Sequence, residues 1–371
     1  MYLPEDKIVS FGFALHIRGG NKMNTEERSI DKKTIYKGLR FAVILSLVIS
    51  TIIILITIDE NTLQRIIKNI DRKYIFVVIG LILFNQLAAG QRLKVMIGTI
   101  DKKLPLIDCI IIHISGAFVS NVTPFASGGG PFQIYFLHKK GVNVGKASTV
   151  VVTNFLLRLF YFGMLTPIFI IFFNQYISAG AVPKYVFYLA FGMGVLISTG
   201  IILLTLIPKI GDKLTYYILN LSKIKKFIHN NYKAKRLLVK GRRELEDFRE
   251  SLSILRKNKK GLFWGTFYTI LFWSSLFFIM PVLLMAFGAE PNFLQAYIMQ
   301  TIFYLILPYM PTPGASGVAE IGFASLFIAF IPKDIVGLVT LSWRVATFYF
   351  ILVVGGFFAI REISKKRSKN E

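Results

Sequence analysis

The chain has 371 residues, of which 54% are apolar and 17% charged, and its mean hydropathy is +0.58. That composition excludes an ordinary soluble domain, because several apolar runs reach the ~20 residues that cross a bilayer as a helix. The formal charge of +24 raises nucleic acid as a partner. The basic residues, however, sit in the connections between apolar runs, so membrane topology accounts for them better. The fold class expected is an all-α polytopic membrane protein.

Residues 1–38 read as a cytoplasmic N-terminal segment, within which 1–22 look like an upstream extension. They lack the basic, apolar, small-residue order of a signal peptide. A single transmembrane domain is expected over 39–360, and 361–371 form a basic cytoplasmic tail. Leu39–Ile58 leaves the cytoplasm and Tyr74–Gly90 returns, delivering the basic stretch Arg92–Lys103 inside. Residues 106–137 have basic flanks on both sides and are broken at Asn121–Pro131 by Pro and Gly. They read as a re-entrant hairpin entered from the cytoplasm. The single cysteine, Cys109, lies in its first arm and is expected as a packed thiol, as is His113 as a packed imidazole.

Residues 147–173 then exit and Tyr185–Ile207 returns. The segment 209–260 carries sixteen Lys/Arg against five Asp/Glu. It is expected inside, lying on anionic inner-leaflet lipids. Leu262–Phe287 exits again. Residues 293–331, broken at Pro308–Gly317 and flanked by weakly charged connections, read as a second hairpin entered from outside. Residues 335–360 return. The threading totals six full spans and two re-entrant hairpins, with both termini cytoplasmic.

The two breaks resemble each other. One reads Thr123-Pro124-Phe125-Ala126-Ser127-Gly128 and the other Thr312-Pro313-Gly314-Ala315-Ser316-Gly317, offset by 189 residues. Each is followed by a short arm and then a span holding an arginine, Arg158 or Arg344. An odd number of crossings separates the hairpins, so the arrangement predicts an inverted repeat. Such repeats place substrate near the midplane, where broken helices end.

A central arginine costs at least ~2.5–3.5 kcal/mol on insertion scales, so it is expected to face a cavity or a partner. Two readings stand for Arg158 and Arg344: binding a phosphate-bearing headgroup, or holding hairpin carbonyls and pairing with Glu320. Glu320 could balance an arginine, favour a helix N-terminus, bind a cationic headgroup or carry a proton. Asn121, Thr123, Pro124, Ser127, Gly128, Gly129, Thr312, Pro313, Gly314, Ser316 and Gly317 form the candidate lining, with tip capping as the alternative for the polar ones. Arg92 reads as an interface anchor or a headgroup contact. No metal cluster, nucleotide loop or hydrolase motif is present, no cofactor is expected, and no soluble segment is large enough for a catalytic domain.

The segments Asn121–Tyr135, Pro311–Glu320 and Trp343-Arg344 resemble the lysylphosphatidylglycerol synthase transmembrane, flippase-like family, over about Leu39–Ile360. The resemblance implies a bacterial cell-membrane bundle that translocates a lipid, with aminoacylated phosphatidylglycerol as the best-known cargo and a lipid-modifying enzyme as partner. It also implies, by the family name, lysyl transfer from charged tRNA to phosphatidylglycerol, although the soluble transfer domain is missing. Leu157 stands where many relatives carry an acid, and Gln133 where some carry arginine. The inverted repeat alone would also permit a small-solute secondary transporter.

Overall fold

The computed structural model describes residues 70–100, 102–177, 258–328 and 330–364, with the isolated helical positions Ile44, Val48, Ile52 and Gly192. The expected spans 39–58 and 185–207, most of the basic segment 209–260 and the two termini lie outside the described residues. Every regular element among those described is helical: α1 Arg72–Gly98, α2 Leu106–Asn121, α3 Gly129–Lys139, α4 Val144–Phe172, α5 Asn174–Ile177, α6 Lys259–Ala286, α7 Phe293–Ile306, α8 Val318–Phe327, α9 Val336–Arg344 and α10 Gly356–Ser364. Two π turns, Val345–Tyr349 and Ile351–Gly355, join α9 to α10 in one long rod. Four helical stretches are long and apolar enough to cross a membrane: α1, α4, α6 and Val336–Glu362.

Local chemistry sets the helix starts. Asp71, Asn143, Asn258 and Asn292 each turn a side-chain oxygen onto a backbone N–H two or three residues on, at 2.8–3.0 Å. These caps satisfy donors that the first turn leaves orphaned. The end of α1 differs from expectation. The span predicted to stop at Gly90 runs on to Gly98, because Gln91-Arg92-Leu93-Lys94-Val95-Met96 are mostly strong helix formers and nothing breaks them. Arg92 therefore sits inside a helix and not in a loop.

Chain ends group into two sets. Asp71 N–H donates to the Ala286 carbonyl, and Gly261 packs near Thr99, so α1 and α6 run antiparallel along their length. Lys146 Nζ reaches the Ile100 carbonyl, Lys140 pairs with Asp108 at 2.8 Å, and Lys139 holds the Glu362 carbonyl. One end of the bundle thus gathers Lys94, Lys139, Lys140, Lys146, Lys259 and Arg361. The opposite end carries Asp71, Arg72, Lys73 and Glu290, and there Gln295 bonds the Tyr176 carbonyl. Both ends of the α2–α3 hairpin lie at the basic end, and α7 starts from the other.

The core divides along the same axis. One apolar cluster joins the far halves of α6 and α7 to α8 and α9, and another joins the end of α1 to α2, α3, the start of α4 and α10. Between them lies a small aromatic cluster of Tyr161, Phe162, Trp273, Phe277 and Leu305. Outward faces present Phe76, Leu83, Phe160, Ile171, Phe263 and Val353 without cover. A broad exposed apolar belt is what a lipid-immersed bundle requires and a water-soluble one avoids.

Candidate functional site

The helix breaks share Thr, Pro, Ala, Ser and Gly at five of six positions, and their opening residues take the same conformation. Thr123 and Thr312 are extended, Pro124 and Pro313 open a 3-10 turn, and the next two residues are left-handed in both tips. Those are Phe125 (φ 55°) and Ala126 (φ 51°) in the first tip, Gly314 (φ 62°) and Ala315 (φ 51°) in the second. The tips then diverge, since Gly128 stays right-handed while Gly317 takes φ 88°. A non-glycine residue in this region costs on the order of 1–3 kcal/mol and persists only where surroundings enforce it.

What enforces it is the meeting of the two tips. Phe125 N–H donates to the Met310 carbonyl at 3.2 Å. A Cβ on Gly314 would lie 2.3 Å from the Phe348 ring and 3.0 Å from the Asn121 carbonyl, so only glycine allows this approach. In the first hairpin the arms close equally tightly: a Cβ on Gly129 would strike Ser120 Oγ and the Gly116 carbonyl.

Each tip is held differently. In the first, Thr123 Oγ1 donates to the Val119 carbonyl at 2.8 Å and accepts from Gly128 N–H at 3.0 Å. Ser127 Oγ closes onto the Pro124 carbonyl at 2.9 Å, a cap. In the second, Glu320 is the hub. Its carboxylate accepts from Gly317 N–H and from Arg344 Nε, both at 2.7 Å, and Arg344 Nη2 donates to the Gly314 carbonyl at 3.2 Å. Both charged side chains are buried, and the guanidinium lies 4.2 Å from the Phe348 ring centroid. Arg344 and Glu320 therefore hold the second tip in shape, as charge balance and carbonyl anchoring would have them do. Ser316 is buried, and Thr312 Oγ1 is buried with no partner among the described residues.

Arg158 is placed otherwise. It is part-buried near the middle of α4, with its guanidinium 5.9 Å from the Trp273 ring centroid and within electrostatic reach of Tyr309 in the second break. Arg92 lies 5.0 Å from the centroid of the neighbouring ring, Phe272. Asn85 Nδ2 bonds the Phe272 carbonyl at 2.7 Å, which sets Phe272 near the middle of α1. Helical side chains lean toward their own N-terminus, so Arg92 turns toward the bundle centre and away from the near helix end. Its Nε has no acceptor among the described residues, and it is 8% exposed. Neither Arg92 nor Arg158 forms an ion pair among the described residues. The structure thus brings Arg92 and Arg158 to α6, and Arg344 and Glu320 to the second tip.

Phe272, Trp273 and the Tyr161–Tyr297–Ser274 hydroxyl chain, at 2.6 and 2.8 Å, are residues that sequence reasoning passed over. The signal was available: Trp273-Ser274-Ser275 is a polar interruption in an otherwise apolar span. No group of three or more metal-ligating side chains occurs among the described residues.

Residues 43–355 match the family described as the lysylphosphatidylglycerol synthase TM region. The chain belongs to this family. The matched residues include both helix breaks and the arginine spans, and the synthase TM-region family gives the chain a membrane-lipid-related role. Similar proteins are a UPF0104 membrane protein of Archaeoglobus fulgidus, 27% identical over 83% of this chain and 92% of its own, and one of Methanocaldococcus jannaschii, 28% identical over 87% and 96%. A third, of Pyrococcus horikoshii, is 23% identical over 85% and 96%. No solved structure matches. The chain is an integral membrane protein of several apolar helices.

Proposed function

We propose that this chain translocates the headgroup of an anionic or aminoacylated phospholipid, or a lipid-linked headgroup, across the cytoplasmic membrane in which it is embedded. In this reading six spans and two re-entrant hairpins form an inverted repeat, with the basic end and both termini cytoplasmic. The observation that carries it is the hydrogen bond between the two tips, Phe125 to Met310. Irregular backbone at membrane depth is tolerated only where protein buries it or it lines a wet path. Two such breaks from opposite ends, touching at their tips, make a closed constriction on one path. Parting the tips opens it to one face or the other.

Purified protein in liposomes containing fluorescent phosphatidylglycerol tests this. Headgroup exchange between leaflets that falls to background in Arg158→Gln, while the variant keeps its thermal midpoint, supports translocation. Exchange at the protein-free rate with the unaltered chain contradicts it. Lysyl-lipid formed from charged tRNA would instead assign the transferase that the family name suggests.

A further inference from the structure

We infer that Arg92 and Arg158 form a two-cation seat for the phosphoryl group of a net-anionic headgroup, and that this seat discriminates against an aminoacylated one. The inference rests on the translocation reading only for the lipid as the source of the phosphoryl group.

The argument starts from charge. Arg92 and Arg158 lie on different helices, near adjacent rings of α6 whose centroids are 5.1 Å apart, which places Arg158 within electrostatic reach of Arg92. Two like charges drawn together in a low-dielectric interior repel, and each has given up hydration. Cation–π contact with one ring apiece returns only part of that loss. An anion between them would offset the rest. Among the described residues Arg92 Nε–H and Trp273 Nε1–H are buried donors with no acceptor, while Gln86 Oε1 and Asn154 Oδ1 are buried acceptors with no donor. The two ring-side donors fit a phosphate, whose oxygens accept only, and an arginine fork matches a phosphate edge.

Selectivity follows from where the acids are. The described carboxylates are Asp71, Asp108, Glu290, Glu320, Asp334 and Glu362. Asp71 caps α1, Asp108 pairs with Lys140 and Glu362 with Lys139 at the basic end, and Glu290 and Asp334 lie in connections. Glu320, the acid at the tips, is already bound by Arg344 and Gly317. A lysyl group added to phosphatidylglycerol brings ammonium charge to a seat that offers it two guanidinium groups and, among the described residues, no spare carboxylate. Such an ammonium is repelled.

Binding measured by native mass spectrometry on detergent-purified protein tests the seat without any transport assay. Phosphatidylglycerol, lysylphosphatidylglycerol and phosphatidylcholine compete in one mixture, and inorganic phosphate and glycerophosphate are added as separate arms. Phosphatidylglycerol is expected to bind about tenfold or more tighter than the other two lipids, the scale of one charge-assisted hydrogen bond. The preference should vanish in Arg158→Gln and in Arg92→Gln, and persist in Arg92→Lys. Should Arg92→Gln fail to fold, Arg158→Gln, on a separate helix, carries the test alone. Displacement of phosphatidylglycerol by glycerophosphate supports a headgroup seat. Binding of inorganic phosphate with no lipid preference supports the anion seat and overturns its lipid source. Equal binding of all three lipids, or a preference untouched by both glutamine variants, overturns the inference. Selective binding without leaflet exchange would sink translocation and leave the seat standing, whereas exchange blind to headgroup charge would do the reverse.

Discussion

The two tips share Thr-Pro-x-Ala-Ser-Gly and the same left-handed pair of residues, yet they are secured by different means. The second is locked by a buried ion pair in which Glu320 bridges Gly317 N–H and Arg344 while Arg344 holds the Gly314 carbonyl. The first relies on neutral hydroxyls, Thr123 foremost and Ser127 beside it, and its partner arginine stands apart beside Trp273. The related tips are therefore divided: one arginine supports shape, and the other forms no ion pair among the described residues. An acid at position 320, where the first tip has Pro131 at the matching offset, is the difference that decides it.

This contrast can be broken experimentally. Arg344→Ala strands the Glu320 carboxylate in a buried site, and such a loss costs about 3–5 kcal/mol. Thermal unfolding in detergent should show a large fall. Arg158→Gln should leave the midpoint close to that of the unaltered chain, because no ion pair is lost among the described residues. Equal falls for the two would erase the division of labour. Next in size, Gly314→Ala forces a Cβ against Phe348 and the Asn121 carbonyl at positive φ, a cost on the order of 1–3 kcal/mol. The matching change Phe125→Ala meets no such wall, since Phe125 is exposed and already carries a Cβ.

The threonines should separate more finely. Thr123→Ala removes two hydrogen bonds and is expected to lower stability by about 1 kcal/mol. Thr312→Val deletes a buried hydroxyl with no partner, so its effect should be neutral or slightly stabilising. If the two proved equivalent by thermal unfolding, the asymmetry of the tips would not hold at that level.

Much of this was legible in the chain itself. Pro and Gly inside apolar runs announce broken helices, and the Thr-Pro match at 123 and 312 announces that they are related. The pairing of Glu320 with Arg344 was one of the two readings open for those residues, because twenty-four positions of separation say nothing about which rotamer wins. Arg92 was harder. Whether it anchors at an interface or turns inward depends on where α1 stops, and helix ends are weakly encoded when strong helix formers continue past the apolar run. The placing of Arg92 and Arg158 at Phe272 and Trp273 is a tertiary fact, joining residues more than a hundred positions apart. Equivalent threonines with unequal bonding are likewise set by packing and not by local motif.

The most direct test of the account is a tip cross-link. Phe125→Cys with Met310→Cys, in a Cys109→Ser background, places two thiols at the contact where Phe125 N–H meets the Met310 carbonyl. The account predicts that oxidation joins them, that leaflet exchange of fluorescent phosphatidylglycerol then stops, and that reduction restores it. Exchange continuing unchanged with the tips fully cross-linked would contradict a path that opens where the tips meet.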